Sequence, residues 1–538
     1  MTATATATTP RARRGRHPLL VEVAGSGAAL AVALAAVAHL CLTPRSWVLF
    51  SDADSVLLPM MRGSAAVGEP QHWALSSVLF LPERALYDAT AALGLGVRAS
   101  LAIDAVVNLV LLYAALRIVA ALVRPGPRSH AVAGALAAFT AFTAFTFLDS
   151  TPAWDSLELP SLIATTTYYS ATVLATVLAA GLGTAVLAGP RRRAIAAALA
   201  LGAVTAGSVL TNPLFLAWAT VPLAIVAVAL AAGRLVALRR TTATAAALAA
   251  GTVLGFLLRI PFAPEIVRAP GDYADPANAL PTLAYLVHQL VTRTETVEGL
   301  VSVAAIDTVL VLDVLLLVRA FRVRRAGAAT LLGLAVLTPV LVTAGSVLLG
   351  APAVRYLQPA WFAPLLPLVL VPLPARLRMP LRSRRARVAL AVVLALVGVA
   401  GAGVTTASAA TPDPSIRCLD AWITAGGRTG AGLFETIRGP KAYLRDPRLL
   451  LQVDAHLRAE PWLTDRADYD VSRVSFLVTD ASTPPFDTGT VGPPLRTITC
   501  GRYRVLDWER PVLAVLPSGP IAPPHPPSST MAGAATKP

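Results

Sequence analysis

Apolar runs of about 20 residues recur along the chain, broken by short polar connections. A membrane-crossing helix needs about that length. On this ruler the first crossing is Leu19–Leu42, and ten more fall near 100–122, 130–148, 162–188, 194–210, 213–232, 242–261, 299–318, 327–349, 357–374 and 388–408. The pattern predicts an all-α polytopic membrane protein of about 11 transmembrane helices. Three connections are longer or more polar than the rest, at 43–99, 149–161 and 262–298. Within the first, residues 73–92 have an amphipathic pattern that suits a helix lying on a membrane surface.

After residue 408 the pattern changes. Residues 409–516 alternate shorter apolar stretches with turns and predict a small α/β domain, with a helix over 447–460 and strands at 471–478, 495–505 and 512–515. Residues 517–538 are rich in Pro, Ser and Ala and predict a disordered tail. Residues 1–18 form a basic leading segment.

Composition narrows the class further. Of 538 residues, 55% are hydrophobic and only 14% charged, and mean hydropathy is +0.65. That is too little charge to solvate a globule of this size, which excludes an ordinary soluble enzyme or a disordered chain. The net charge of +15 comes almost entirely from arginine, with lysine only at Lys441 and Lys537. These arginines cluster between apolar runs, the mark of cytoplasmic loops rather than of nucleic-acid binding. No P-loop, zinc spacing or serine-hydrolase motif occurs.

The arginine clusters set the orientation. Arg124 and Arg128, Arg191 to Arg193, Arg234, Arg239 and Arg240, Arg319 to Arg325, and Arg376 to Arg387 fall on alternate connections. With a cytoplasmic N-terminus, all of these loops face the cytoplasm. Eleven crossings then leave the C-terminus outside a bacterial-type plasma membrane. Cys418 and Cys500 would both lie in that oxidising compartment, where a disulfide persists. A bridge closing about 80 residues contributes roughly 4 kcal/mol in the chain-entropy account. Cys41, in the first crossing, reads as apolar filler.

Three groups of residues on the expected outer side can carry chemistry. Asp52-Ala53-Asp54 follows the first crossing, and paired carboxylates accept a proton from a hydroxyl or hold a divalent cation. A solvated turn explains the same pair without chemistry. Asp149, Asp155 and Glu158 form a second acidic loop after the third crossing, with no basic residue inside it. Arg355 and Tyr356 open the tenth crossing, just ahead of Pro359 and Trp361. A guanidinium there suits a phosphate. It also suits an interfacial arginine in an aromatic belt.

The order and sidedness of these groups resemble the GT-C superfamily of integral-membrane glycosyltransferases, which use polyprenyl-phosphate-linked sugars. Many members also end in a soluble extracytoplasmic domain. The resemblance covers the organisation of residues 19–408. It implies sugar transfer to a cell-envelope glycan, lipid or protein acceptor at the outer face of the bilayer. It maps the base to Asp54, with Asp52 as alternative. Assistance falls to Asp155, Asp149 or Glu158, and contact with the lipid phosphate to Arg355 beside Tyr356. No nucleotide site is required, and metal dependence stays open, since the aspartate pair permits magnesium or manganese. The chain departs from the family in lacking an acid directly after the first aspartate, since Ala53 separates the two.

Two other classes remain open on sequence. A secondary transporter would use the intramembrane charges Asp104, Asp307, Asp313 and Arg259, with Asn108 one turn from Asp104. A non-catalytic envelope-assembly protein would keep the scaffold and dispense with the base.

Overall fold

The structure is a computed structural model that describes residues 18–124, 126–267, 274–371 and 383–518. The basic segment before Pro18, the arginine cluster from Arg376 up to residue 382, and the tail from residue 519 lie outside the described residues. Nine helices among the described residues are long and apolar enough to cross a membrane, which makes this a multi-pass membrane protein. They are α1 (Pro18–Leu42), α5 (Val97–Val123), α6 (Arg128–Thr146), α7 (Ser170–Ala188), α8 (Arg191–Thr211), α10 (Leu238–Arg259), α12 (Val297–Arg322), α13 (Ala326–Leu348) and α15 (Arg384–Ala410). Their outward faces expose large apolar side chains such as Leu199, Val253, Leu315 and Val399. A surface of that kind is stable in lipid, where helices satisfy their own backbone groups. Small residues let the helices approach closely. A Cβ on Gly401 of α15 would lie 2.8 Å from the Leu34 carbonyl of α1.

Two expected crossings have a different build. Residues 216–220 form a π-helical turn that leads into α9 (Val221–Ala232). Residues 354–370 combine a 3-10 turn, the short α14 (Pro359–Phe362) and a 3-10 stretch at Ala363–Leu370. Pro359, Pro364 and Pro367 remove the amide donors that a continuous α-helix would need. The crossing expected over 162–188 starts late. Its α-helix begins at Ser170, and residues 165–169 form an irregular segment ahead of it.

The basic connections are fastened to one another. Arg240 donates to the carbonyls of Val186, Leu187 and Gly189, Arg324 to that of Arg234, and Arg124 to that of Val371. The opposite end of the bundle carries the long connections. The first contains α2 (Ser46–Phe50), α3 (Leu57–Ala66), β1 (Trp73–Ala74) and α4 (Leu81–Ala91). The amphipathic stretch at 73–92 is therefore a strand followed by a helix. The third contains α11 (Ala279–Thr294), whose Leu280, Leu283, Val287 and Val291 are exposed.

The C-terminal domain stands on this end. It comprises α16 (Pro414–Gly426), α17 (Phe434–Lys441) and the strands β2 (Gly430–Gly432), β3 (Leu450–Gln452), β4 (Thr464–Asp465), β5 (Arg473–Val474), β6 (Phe476–Thr479), β7 (Arg496–Cys500), β8 (Tyr503–Asp507) and β9 (Leu513–Ala514). The main sheet runs β3-β2-β6-β8-β7, with β2 parallel to both neighbours and the other pairs antiparallel. Alternation along β6 sends Phe476 and Val478 to one core and Leu477 to another. The helix expected over 447–460 does not form. Asp446 caps a single 3-10 turn, after which Leu450 enters the sheet beside β2. Tertiary pairing outweighs local helix preference there. The strand expected over 495–505 is a hairpin that turns at Gly501 (φ +60°). Cys418 and Cys500 are disulfide-bonded and tie α16 to β7.

Candidate functional site

The Asp52–Asp54 loop sits where the bundle meets the C-terminal domain, and its carbonyls are tied outward. The Tyr443 hydroxyl donates to Phe50 O at 2.6 Å and Arg438 Nε to Ala53 O at 2.8 Å, both from the C-terminal domain. Thr167 Oγ1 donates to Asp54 O and Thr166 Oγ1 to Ser55 O, each at 2.7 Å, from the irregular segment before α7. Anchors from two distant parts of the chain thus fix a loop that lacks regular structure of its own.

The two aspartates meet different environments. Asp52 is buried, at 2% exposure, and accepts from the Tyr168 hydroxyl at 2.9 Å and the Ser55 amide at 3.1 Å. Burial, with the Asp54 charge next, pushes its carboxyl up to about 6. Asp54 keeps 24% of its side chain exposed and faces Arg355 Nη1 at 3.7 Å, an ion-pair distance longer than a hydrogen bond. The pair joins the first connection to the start of the proline-broken segment, residues about 300 apart in sequence. Asp54 is the carboxylate a second molecule can reach. Asp52 holds the turn.

Arg355 is positioned by its own neighbours. Gln358 Nε2 donates to the carbonyls of Tyr168 and Arg355, and Trp218 Nε1 to that of Tyr356. Tyr169 adopts a left-handed backbone (φ +68°), which is strained for an aromatic residue. Its ring lies 6.3 Å from that of Tyr356 and 6.1 Å from that of Trp218. The guanidinium lies 5.4 Å from the Trp154 ring and 5.8 Å from the Tyr356 ring. The guanidinium that faces Asp54 is thus set among aromatic rings, an arrangement suited to an anionic group.

The second acidic loop divides. Asp155 receives the Tyr285 hydroxyl of α11 at 2.5 Å. Burial raises its carboxyl, while Tyr285 and the Arg355 charge lower it, so this acid belongs to the Arg355 side of the site. Asp149 and Glu158 are sealed inside, at 0% and 1% exposure, in an ion-pair network. Arg293 of α11 reaches Glu158 Oε1 at 2.7 Å and Asp149 Oδ1 at 3.1 Å, and Arg45 lies 3.6 Å from Glu158 Oε2. Arg45 also donates to the Ser161 hydroxyl and the Glu158 carbonyl. The basic partners absent from the loop itself come from two distant elements. Asp149 and Glu158 hold the loop that presents Trp154 and Asp155.

The intramembrane charges do not join this site as ligands. Asp104 accepts from Thr90, Asn108 bonds the Thr165 carbonyl, and Arg259 donates to the carbonyls of Ser77 and Leu210. Asp313 is buried, and Asp307 is exposed on α12.

The donor set around the aspartate pair does not fit a divalent cation. Asp52 is committed to Tyr168 and Ser55, and Asp54 faces the like-charged competitor of any cation, Arg355, at 3.7 Å. No cluster of three His, Cys, Asp or Glu side chains with metal-holding geometry occurs among the described residues.

Comparison with protein-family models gives no match, and neither does comparison with curated proteins.

Sequence reasoning missed the contribution of the C-terminal domain. Glu435, Arg438, Gly439 and Tyr443 all lie on or just after α17 and approach the aspartate loop. A Cβ on Gly439 would stand 2.9 Å from Ser51 O. The one available signal was composition. Lys441 is one of only two lysines, and it lies in a Gly-Pro-Lys turn inside a helix dense in charge.

Proposed function

We propose that this protein is a membrane glycosyltransferase of the GT-C type. It moves a sugar from a polyprenyl-phosphate donor to a glycan, lipid or protein acceptor of the cell envelope. The observation that carries the reading is the Asp54–Arg355 pair, in which a partly exposed carboxylate faces a guanidinium beside the Trp154 and Tyr356 rings. These are the two residues to which the resemblance assigns base and phosphate contact.

The chemistry follows from their charges. An acceptor hydroxyl gives its proton to the Asp54 carboxylate as its oxygen bonds to the anomeric carbon. The bond from that carbon to the phosphate oxygen breaks, and its electron pair leaves with the phosphate. Arg355 leaves Asp54 to meet the phosphate charge, which frees the carboxylate as the donor arrives. Asp54 then returns its proton to solvent. Asp52 positions the loop, and Asp155 with Tyr285 flanks the sugar.

In this reading eleven segments cross the membrane. Support for the two irregular ones is that Arg234 and Val371, at their far ends, are bonded by arginines of the basic connections. The basic end is cytoplasmic, and the site and the disulfide-bonded domain are extracytoplasmic.

The test is transfer by the full chain in lipid nanodiscs, with polyprenyl-phosphate-linked sugars as donors. Asp54→Asn should lower turnover roughly 10²- to 10⁴-fold with the melting temperature retained. Undiminished transfer by this variant refutes the assignment of the base. A wild type inert with every such donor removes the glycosyltransferase reading in favour of transport or assembly.

A further inference from the structure

The C-terminal domain brings a further carboxylate near the aspartate loop. Glu435 lies in the first turn of α17. Arg438 and Gly439 follow at i+3 and i+4 and so share its helix face. That face rests on the aspartate loop, because Arg438 bonds Ala53 O and Gly439 closes on Ser51 O. Glu435 therefore lies on the helix face turned to the loop, one turn before these anchors. It has no hydrogen bond or ion pair among the described residues, and its side chain is exposed. Desolvation by the neighbouring protein, with the Asp52 and Asp54 charges, pushes its carboxyl up to about 8.

The site is thus polarised. Arg355 sets a positive charge beside Asp54, and Glu435 adds an acid near the same loop. A phosphate is drawn to the first and finds no counter-charge at the second. A neutral, hydroxyl-bearing molecule suits a carboxyl that can accept a hydrogen bond and, near its own pKa, donate one.

We propose that Glu435 is an acceptor-binding residue. It hydrogen-bonds a hydroxyl of an acceptor carbohydrate and orients the neighbouring hydroxyl toward Asp54, so that the C-terminal domain selects the acceptor while the helical bundle holds the donor. The proposal rests on the transferase reading above.

The experiment measures transfer by the full chain in nanodiscs. A farnesyl-phosphate-linked sugar serves as donor and octyl oligosaccharides as acceptors, with wild type, Glu435→Gln and Glu435→Ala compared. The expected result is an acceptor KM raised roughly 10- to 100-fold in Glu435→Ala and less in Glu435→Gln, which keeps an accepting oxygen. Donor KM, kcat at saturating acceptor and melting temperature stay within about threefold or a few degrees of wild type. A structural role would not separate the acceptor KM from the donor KM. Active wild type with unchanged acceptor KM in both variants overturns this inference alone, and so does a shift in donor KM instead. Wild type that neither transfers sugar nor binds farnesyl phosphate overturns it together with the reading it rests on.

Discussion

Replacing Arg293 by methionine should unlock the loop that carries Trp154 and Asp155. In the native protein two buried carboxylates, Asp149 and Glu158, are balanced by two guanidiniums, Arg45 and Arg293. Methionine keeps most of the apolar stem volume and removes one charge and three donated bonds, including that to the Leu148 carbonyl. Breaking a buried pair from one side costs about 3–5 kcal/mol, because the remaining charge is stranded. The cost depends on pH in a defined direction. Burial and then the Glu158 charge already push Asp149 up to about 7, against the pull of Arg45 and Arg293. Without Arg293 its carboxyl rises further and takes a proton on folding, so the deficit is smallest in acid and grows as pH increases. Thermal unfolding in nanodiscs at pH 5.5 and 8, with hydrogen exchange across residues 149–161, measures both effects. Arg293→Met combined with Glu158→Gln should recover much of the loss, since the stranded charge is gone. A variant that melts with wild type at both pH values, with unchanged exchange in the loop, would show that the network does not hold it.

Three further outcomes follow from individual contacts. Gly439→Ala should lower stability by about 1–3 kcal/mol and slow transfer, because its methyl meets Ser51 O. Gly403→Ala is the control, has open space around its Cβ and should be neutral or stabilising. Cys418→Ser should make the C-terminal domain sensitive to protease at a cost of roughly 4 kcal/mol, read as a shifted denaturation midpoint of that domain with the bundle intact. For Asp52, a carboxyl raised from 3.8 to about 6 favours the folded state fully below pH 4 and loses about 3 kcal/mol of that as pH rises through 6. Asp52→Asn removes this dependence. Its melting temperature relative to wild type should therefore climb between pH 4 and pH 8, and a constant difference contradicts the assigned cause.

The helical bundle was legible in the sequence because lipid imposes one rule on every crossing, about 20 apolar residues with internal backbone bonding. The rule fails where proline intervenes. Pro359, Pro364 and Pro367 leave an apolar run that satisfies the length and is not a continuous α-helix. Asp54 and Arg355 were visible as charges at the ends of apolar runs, and their meeting depends on packing that spacing does not encode. The acidic loop was legible in composition and divided by structure. Asp155 turns toward Arg355, whereas Asp149 and Glu158 are neutralised by Arg45 and Arg293, which lie far away in sequence. Glu435 was invisible because nothing local distinguishes an exposed glutamate on a short helix.

The aspartate loop also explains why the C-terminal domain is part of the site rather than an appendage. If the domain only decorated the bundle, the loop would satisfy its backbone from its own side. Instead the carbonyls of Phe50 and Ala53 depend on Tyr443 and Arg438. Trp73–Ala74 pairs with Thr464–Asp465 across the same junction, and the His72 amide bonds the Asp465 carboxylate. Arg438 is itself fully buried, and burial lowers its guanidinium to about 10. The Nη1 bond to the Leu463 carbonyl, within the domain, and the Nε bond to Ala53 O offset this cost, and the second belongs to the docked arrangement. The Ala53 part of that compensation exists only when domain and loop are together, so the placing of the loop that carries Asp54 is a property of the assembled chain. If Asp54 is the base of the proposed reaction, it is held in its geometry only when the domain that carries Glu435 is docked.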